Sequence, residues 1–146
     1  MPKSILLALL IPMAMASAPV AAGPTGPAAG KTETSTPEGR VGERAQARWE
    51  ALIAGHIKEA YAYLSPLYRK TMPYEQYRYT VHGVGLWSGA RVLGVQCRPG
   101  QCQARVEVKA RFRMRHIPTP RTAKDVVTET WVYDSGAGDW FLAPRS

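Results

Sequence analysis

The stretch Gln103-Ala104-Arg105-Val106-Glu107-Val108-Lys109-Ala110-Arg111-Phe112-Arg113-Met114-Arg115 decides the fold. In an extended chain Ala104, Val106, Val108, Ala110, Phe112 and Met114 fall on one side. Gln103, Arg105, Glu107, Lys109, Arg111, Arg113 and Arg115 fall on the other. Unbroken alternation over this length predicts a long antiparallel strand with one buried and one wetted face. On its N-terminal side lie Cys102, then Arg98-Pro99-Gly100-Gln101, then Cys97 behind the strand-like run Val92 to Gln96. Pro-Gly at the centre of four residues suits a type II turn, because Pro fixes φ and Gly accepts a positive φ. If Arg98 and Gln101 close that turn, Cys97 and Cys102 form the next, non-hydrogen-bonded pair. Their Cα atoms then stand ~4.5–5.5 Å apart, within reach of a disulfide. A bridge over so short a loop contributes roughly 2 kcal/mol. The spacing is C-x4-C rather than the C-x-x-C of redox catalysts, so a structural bridge is expected.

On the C-terminal side, His116 to Thr122 holds Pro118 and Pro120 and reads as a loop. Val126 to Asp134 is a second strand, Ser135 to Asp139 a hairpin loop, and Trp140 to Leu142 a last short strand. Upstream, the period changes from 2 to 3.6. Val41, Ala45, Trp49, Leu52 and Ile53 recur at helical spacing, with Arg44, Arg48 and Glu50 off that face. After Gly55 a second helix carries Ile57, Ala60, Tyr61 and Leu64. Ser65-Pro66 either stops it or opens a further turn, with Ser65 as N-cap and Pro66 at the first helical position. A third helix from Thr71 aligns Tyr74, Tyr77 and Val81 and ends at Gly83 and Gly85. Three helices followed by four hairpin-joined strands indicate an α+β fold, the helices roofing the apolar face of the sheet.

The N-terminus reads as a secretory signal over residues 1–22. Lys3 gives the positive region, Ile5 to Ile11 the apolar core and Val20-Ala21-Ala22 the small-residue cleavage site. Residues 23–38, rich in Pro, Gly, Ala, Ser and Thr, read as a disordered spacer. Residues 39–146 are then one domain. The expected location is periplasmic or secreted, with membrane contact only through the signal.

The segments Arg48-Trp49-Glu50-Ala51-Leu52-Ile53-Ala54-Gly55, Ala60 to Arg69, Glu129 to Tyr133 and Gly138 to Leu142 carry a resemblance. The chain resembles small exported members of the superfamily of nuclear transport factor two and ketosteroid isomerase, over nearly all of Gly39 to Ala143. The resemblance implies a cone-shaped domain, a curved four-stranded antiparallel sheet wrapped around three helices, with a conical pocket. Members include isomerases, dehydratases and hydrolases, and also many binding or accessory domains. It also implies a homodimer paired through its sheets, but a face this charged is a poor apolar interface, so monomer and homodimer both stay open. Fold alone does not choose among these.

The aromatic residues Trp49, Tyr61, Tyr77, Trp87, Trp131 and Tyr133 can line such a pocket or simply fill the core. Glu129 is the catalytic candidate. Sharing a face with Val127 and Trp131, it points inward, where burial raises a carboxyl's pKa and suits it to proton transfer. With Thr128, Thr130 and Val132 inward instead, it pairs with an arginine of the neighbouring strand. The second arrangement is the expected one, because Arg105 to Arg115 offers many partners. His56, His82 and His116 share no ligand spacing, so no metal or cofactor is expected.

The chain carries a formal charge of +8. Arg105, Lys109, Arg111, Arg113 and Arg115 form a stripe that either lies on anionic polymer or stays solvated, blocking edge pairing. Export, and the lack of exposed Phe or Tyr among these arginines, argue against nucleic acid. The expectation is therefore an exported protein that binds a small apolar or anionic ligand, or an envelope polymer or protein. The alternative is an isomerase, dehydratase or hydrolase acting in the cone.

Overall fold

The computed structural model describes residues 36–144, so the signal and most of the spacer lie outside the described residues. Helix α1 (Pro37–Ile53) starts with the Thr36 hydroxyl accepting from the Gly39 N–H at 3.1 Å and with Pro37 in its first turn. Pro37 and Glu38, expected in the spacer, are therefore helical. Val41, Ala45, Trp49 and Leu52 form its buried stripe. It ends where Gly55, at φ 78°, and His56 donate back to Leu52 and Ala51.

The described residues contain four helices rather than the three the sequence predicts. α2 (Ile57–Ala62) stops two residues before Leu64. Ser65 then caps a separate α3 (Pro66–Thr71), its hydroxyl accepting from the Tyr68 N–H at 3.2 Å. Pro73 separates α3 from α4 (Tyr74–Thr80). Two Ser/Pro punctuation points at this spacing divide one irregular helical half into short turns.

Strands β1 (Trp87–Arg98), β2 (Gln101–Phe112), β3 (Arg121–Asp134) and β4 (Asp139–Leu142) form an antiparallel meander in the order β1-β2-β3-β4. The expected α+β class and four-stranded antiparallel sheet are present. Cys102, Ala104, Val106 and Val108 are buried beneath the helices, with Val92, Val95 and Cys97 of β1 and Val127, Glu129 and Trp131 of β3 at the facing register positions. The strand predicted to reach Arg115 ends at Phe112. Met114 begins a turn, accepting at its carbonyl from the Ile117 N–H, and His116 takes φ 71°. Arg113 and Arg115 thus leave the sheet, and the five-cation stripe is cut to Arg105, Lys109 and Arg111, interrupted by Glu107.

Arg98 and Gln101 pair across the turn, Gly100 has φ 76°, and Cys97 and Cys102 are joined by a disulfide with Cα atoms 4.0 Å apart. This is the expected bridge, with its backbones slightly closer than expected. The Gly100 carbonyl accepts from the Tyr133 N–H at 3.0 Å, which ties the turn to β3.

Part of each edge of the sheet is engaged by the helical half. Leu64 bridges to Leu142 beside β4, with Leu142 N–H donating to Tyr63 at 2.8 Å and Ser65 N–H donating to Leu142 at 3.1 Å. Along β1, register shifts at Trp87/Gly89 and Val92/Gly94 mark two bulges. Between them the Gln46 amide of α1 donates to the Ala90 carbonyl at 3.1 Å and accepts from the Val92 N–H at 3.2 Å.

Candidate functional site

Helix α1 presents Arg40, Arg44 and Arg48 at intervals of four, beside its apolar stripe. All three reach carboxylates of the sheet. Arg40 and Arg44 hold Asp139 at 2.8 and 2.7 Å, and Arg48 Nη1 donates to Glu129 Oε1 at 2.7 Å. Arg44 also lies over the rings of Tyr63 and Phe141, and burial pushes its pKa below the ordinary arginine value despite Asp139.

Glu129 is 4% exposed. It shares the helix-facing side of β3 with Val127 and Trp131, so the expected outward orientation is overturned. Its cation comes from α1 rather than from the arginines of β2. Oε1 accepts from the Arg48 guanidinium and from the Trp49 indole at 2.9 Å, and Oε2 accepts from the Trp131 indole at 3.3 Å. The physical reason is charge compensation. A carboxylate buried among indoles needs a cation and several donors, and α1 supplies Arg48 and Trp49 side by side while β3 adds Trp131.

Beside this cluster is a cavity of about 630 Å³, within the range of small-ligand sites. Trp49, Leu52, Leu64, Tyr77, Glu129 and Leu142 form its buried wall, and Thr80, His82, Thr128 and Pro144 its exposed rim. Trp87 packs edge-on against Trp49, with centroids 5.3 Å apart, and completes the apolar side. Gly83 (φ 98°) is required here, since a Cβ would meet the Trp87 indole at 2.8 Å.

Of the six aromatics predicted to line a pocket, Trp49, Tyr77 and Trp87 do. Tyr61 packs on Tyr77 but turns its hydroxyl to the carbonyls of Met72 and Arg69, at 2.8 and 3.2 Å. Trp131 is wholly buried beneath the cavity. Tyr133 is half exposed at the far end of β3, packed on Trp140. Sequence reading missed Arg48, although a row of arginines at i, i+4, i+8 flanking an apolar stripe is a legible sign of cations turned toward a sheet.

Two polar atoms of the cavity-lining residues are buried without a hydrogen-bond partner: the Tyr77 hydroxyl and Arg48 Nε. Tyr77 is 6% exposed. A buried donor left unmade costs about 1–3 kcal/mol. Among the described residues no group of three His, Cys, Asp or Glu could hold a metal ion, and no helix is long and apolar enough to cross a membrane.

The Asp139 clamp carries a pH prediction. The Arg40 hydrogen bond holds its carboxyl below the ordinary value of 3.8 against the opposing effect of burial, aided by the Trp140 N–H and Arg44. A carboxyl lowered in the folded state adds stability above its unfolded pKa and loses it as pH falls through the folded value. Asp139→Asn is expected to cost about 1 kcal/mol at neutral pH, held small by the half-exposed Arg40. The difference from the parent should shrink below about pH 4, read by urea denaturation across pH. A deficit constant down to pH 2 would mean that the charge is irrelevant.

Compared with protein-family models, curated proteins and solved structures, the chain finds no match.

Proposed function

We propose that this protein binds, without chemically changing it, a small, mainly apolar molecule carrying a hydrogen-bond acceptor such as a carbonyl. The observation that carries this reading is the cavity itself, whose buried wall includes Trp49, Leu52, Leu64, Tyr77 and Leu142, with two unpartnered donors, Tyr77 Oη and Arg48 Nε, buried on its lining residues. An acceptor that the Tyr77 hydroxyl turned to meet would remove the penalty of its unmade bond, while Trp49, Trp87, Leu52 and Leu142 cover the apolar body.

The reading extends to an exported domain of the cone-shaped superfamily named above. Four helices on one face of an antiparallel meander, with a cavity between them, support it. Export is supported by the Cys97–Cys102 bridge, because disulfides persist in oxidising compartments.

Catalysis in the cavity is the second reading, favoured by the buried Glu129. Three of the carboxylate's acceptor positions are already taken by a guanidinium and two indoles, which hold it in its charged, unreactive pose, and for that reason binding is preferred.

The test is a titration of tryptophan fluorescence with methyl 2-naphthyl ketone and with 2-ethylnaphthalene. The ketone is expected to bind roughly tenfold more tightly, and Tyr77→Phe to erase the difference, about 1.4 kcal/mol. No saturable response to either compound would overturn the binding reading. Deuterium exchange into the ketone methyl group that is lost in Glu129→Gln would favour the enzyme instead.

A further inference from the structure

We propose that the tip of the sheet docks on the surface of an anionic lipid membrane. The tip is made by Leu86 before β1, the end of β2, the loop 113–120 and the start of β3. Its sequence from Lys109 to Lys124 holds Lys109, Arg111, Arg113, Arg115, Arg121 and Lys124 and no carboxylate. Among the described residues Lys109, Arg111, Arg113, Arg115 and Arg121 form no ion pair, and all five are exposed. Lys109 and Lys124 stand directly opposite across β2 and β3, an arrangement that costs stability unless an anion lies over it. Nearby, Glu107 offsets little, lying 3.9 Å from both Arg91 and Lys124.

Charge alone would suit any polyanion. The apolar residues of the same tip select a bilayer. Leu86 is 50% exposed and Met114 48% exposed. The Arg111 N–H donates to the Leu86 carbonyl at 2.7 Å, which holds the two backbones together at the tip. A hydrated polymer gains nothing from these side chains. At a bilayer they enter the boundary between headgroups and acyl chains while the arginine stems reach up to the phosphates. Pro118 and Pro120 restrict the loop backbone and so reduce the ordering lost on docking. Membrane contact then goes beyond the N-terminal signal to which the sequence assigns it.

The test is co-sedimentation with phosphatidylcholine vesicles, with and without phosphatidylglycerol. The chain is used as recovered from cells, so that whatever N-terminus it carries is common to every variant. The parent is expected to bind only the anionic vesicles, and to release as salt rises. Each cation near such a surface is worth about fivefold in affinity, so Arg111→Glu with Arg113→Glu should weaken binding on the order of 25-fold or more. Leu86→Ser with Met114→Ser should also weaken it severalfold while leaving the charge intact. Arg115→Glu with Arg121→Glu, both at exposed positions, provides a second charge test should the first pair perturb β2. Circular dichroism matching the parent secures each variant's fold. Equal binding by the parent and both charge variants would overturn the proposal. So would binding that ignores the Leu86 and Met114 changes and is competed equally by soluble polyglutamate, an outcome that assigns the tip to a soluble polyanion.

Discussion

Arg48→Met is expected to destabilise the fold by about 3 kcal/mol, because it leaves the Glu129 carboxylate buried without its guanidinium. The Glu129 side chain is 3% exposed and that of Arg48 11%, so water has little room to take over. Methionine keeps most of the aliphatic stem, so the loss reports charge compensation more than packing. Arg48→Met combined with Glu129→Gln should be markedly more stable than Arg48→Met alone. The neutral amide oxygen can still accept from the Trp49 and Trp131 indoles and no longer needs a cation. Urea denaturation of the four members of this cycle should give a coupling of at least about 1 kcal/mol. Simple additivity would show that Arg48 and Glu129 are neighbours without being dependent on each other.

Trp131→Ala should be at least as damaging, at about 3–5 kcal/mol. Trp131 is fully buried, pairs across the sheet with the disulfide-bonded Cys102, and donates to Glu129. Removing it opens a void where β2, β3 and the cavity floor meet. For a domain of this size the melting temperature should fall by roughly 10–20 °C. Trp131→Phe retains part of the ring volume but no indole N–H, and should lose about 1–2 kcal/mol through the Glu129 contact. A thermal melt in which Phe and Ala behave alike would mean that the N–H matters more than the volume.

The parts of the fold that were legible in the sequence are those set by local rules. The alternation around Val108 found β2 and its buried side, and Pro99-Gly100 between two cysteines found the hairpin and its bridge. The period of Val41, Ala45, Trp49 and Leu52 found α1. Where one pattern gave way to another, reading was poorer. The alternation of β2 runs on through Arg113 and Arg115, but those residues have no pairing partner once Pro118 and Pro120 take the chain away, and pairing rather than pattern ends the strand. The short helix α3 stays open as a further turn after Ser65-Pro66, because six residues carry too little periodicity to mark a helix of their own. Glu129 was misoriented for a different reason. Local sequence shows its neighbours on the sheet, whereas its partner Arg48 lies 81 positions away. The preference for a polar outward face holds until a helix brings a cation inward, and only the tertiary arrangement decides that.

The Gln46 amide has a consequence for how copies of this protein meet. By bonding to Ala90 and Val92 it occupies the position a neighbouring chain would take, while the Tyr63–Ser65 segment does the same for β4. β1 is thereby closed as a template over Ala90 to Val92, and β4 beside Leu142, while the outer side of β3 ahead of Thr130 carries no strand and is guarded instead by its charged Arg121, Lys124 and Asp125. Partial unfolding that lifts α1 away would remove this protection first along β1, making the helix a guard against aggregation as well as the roof of the core.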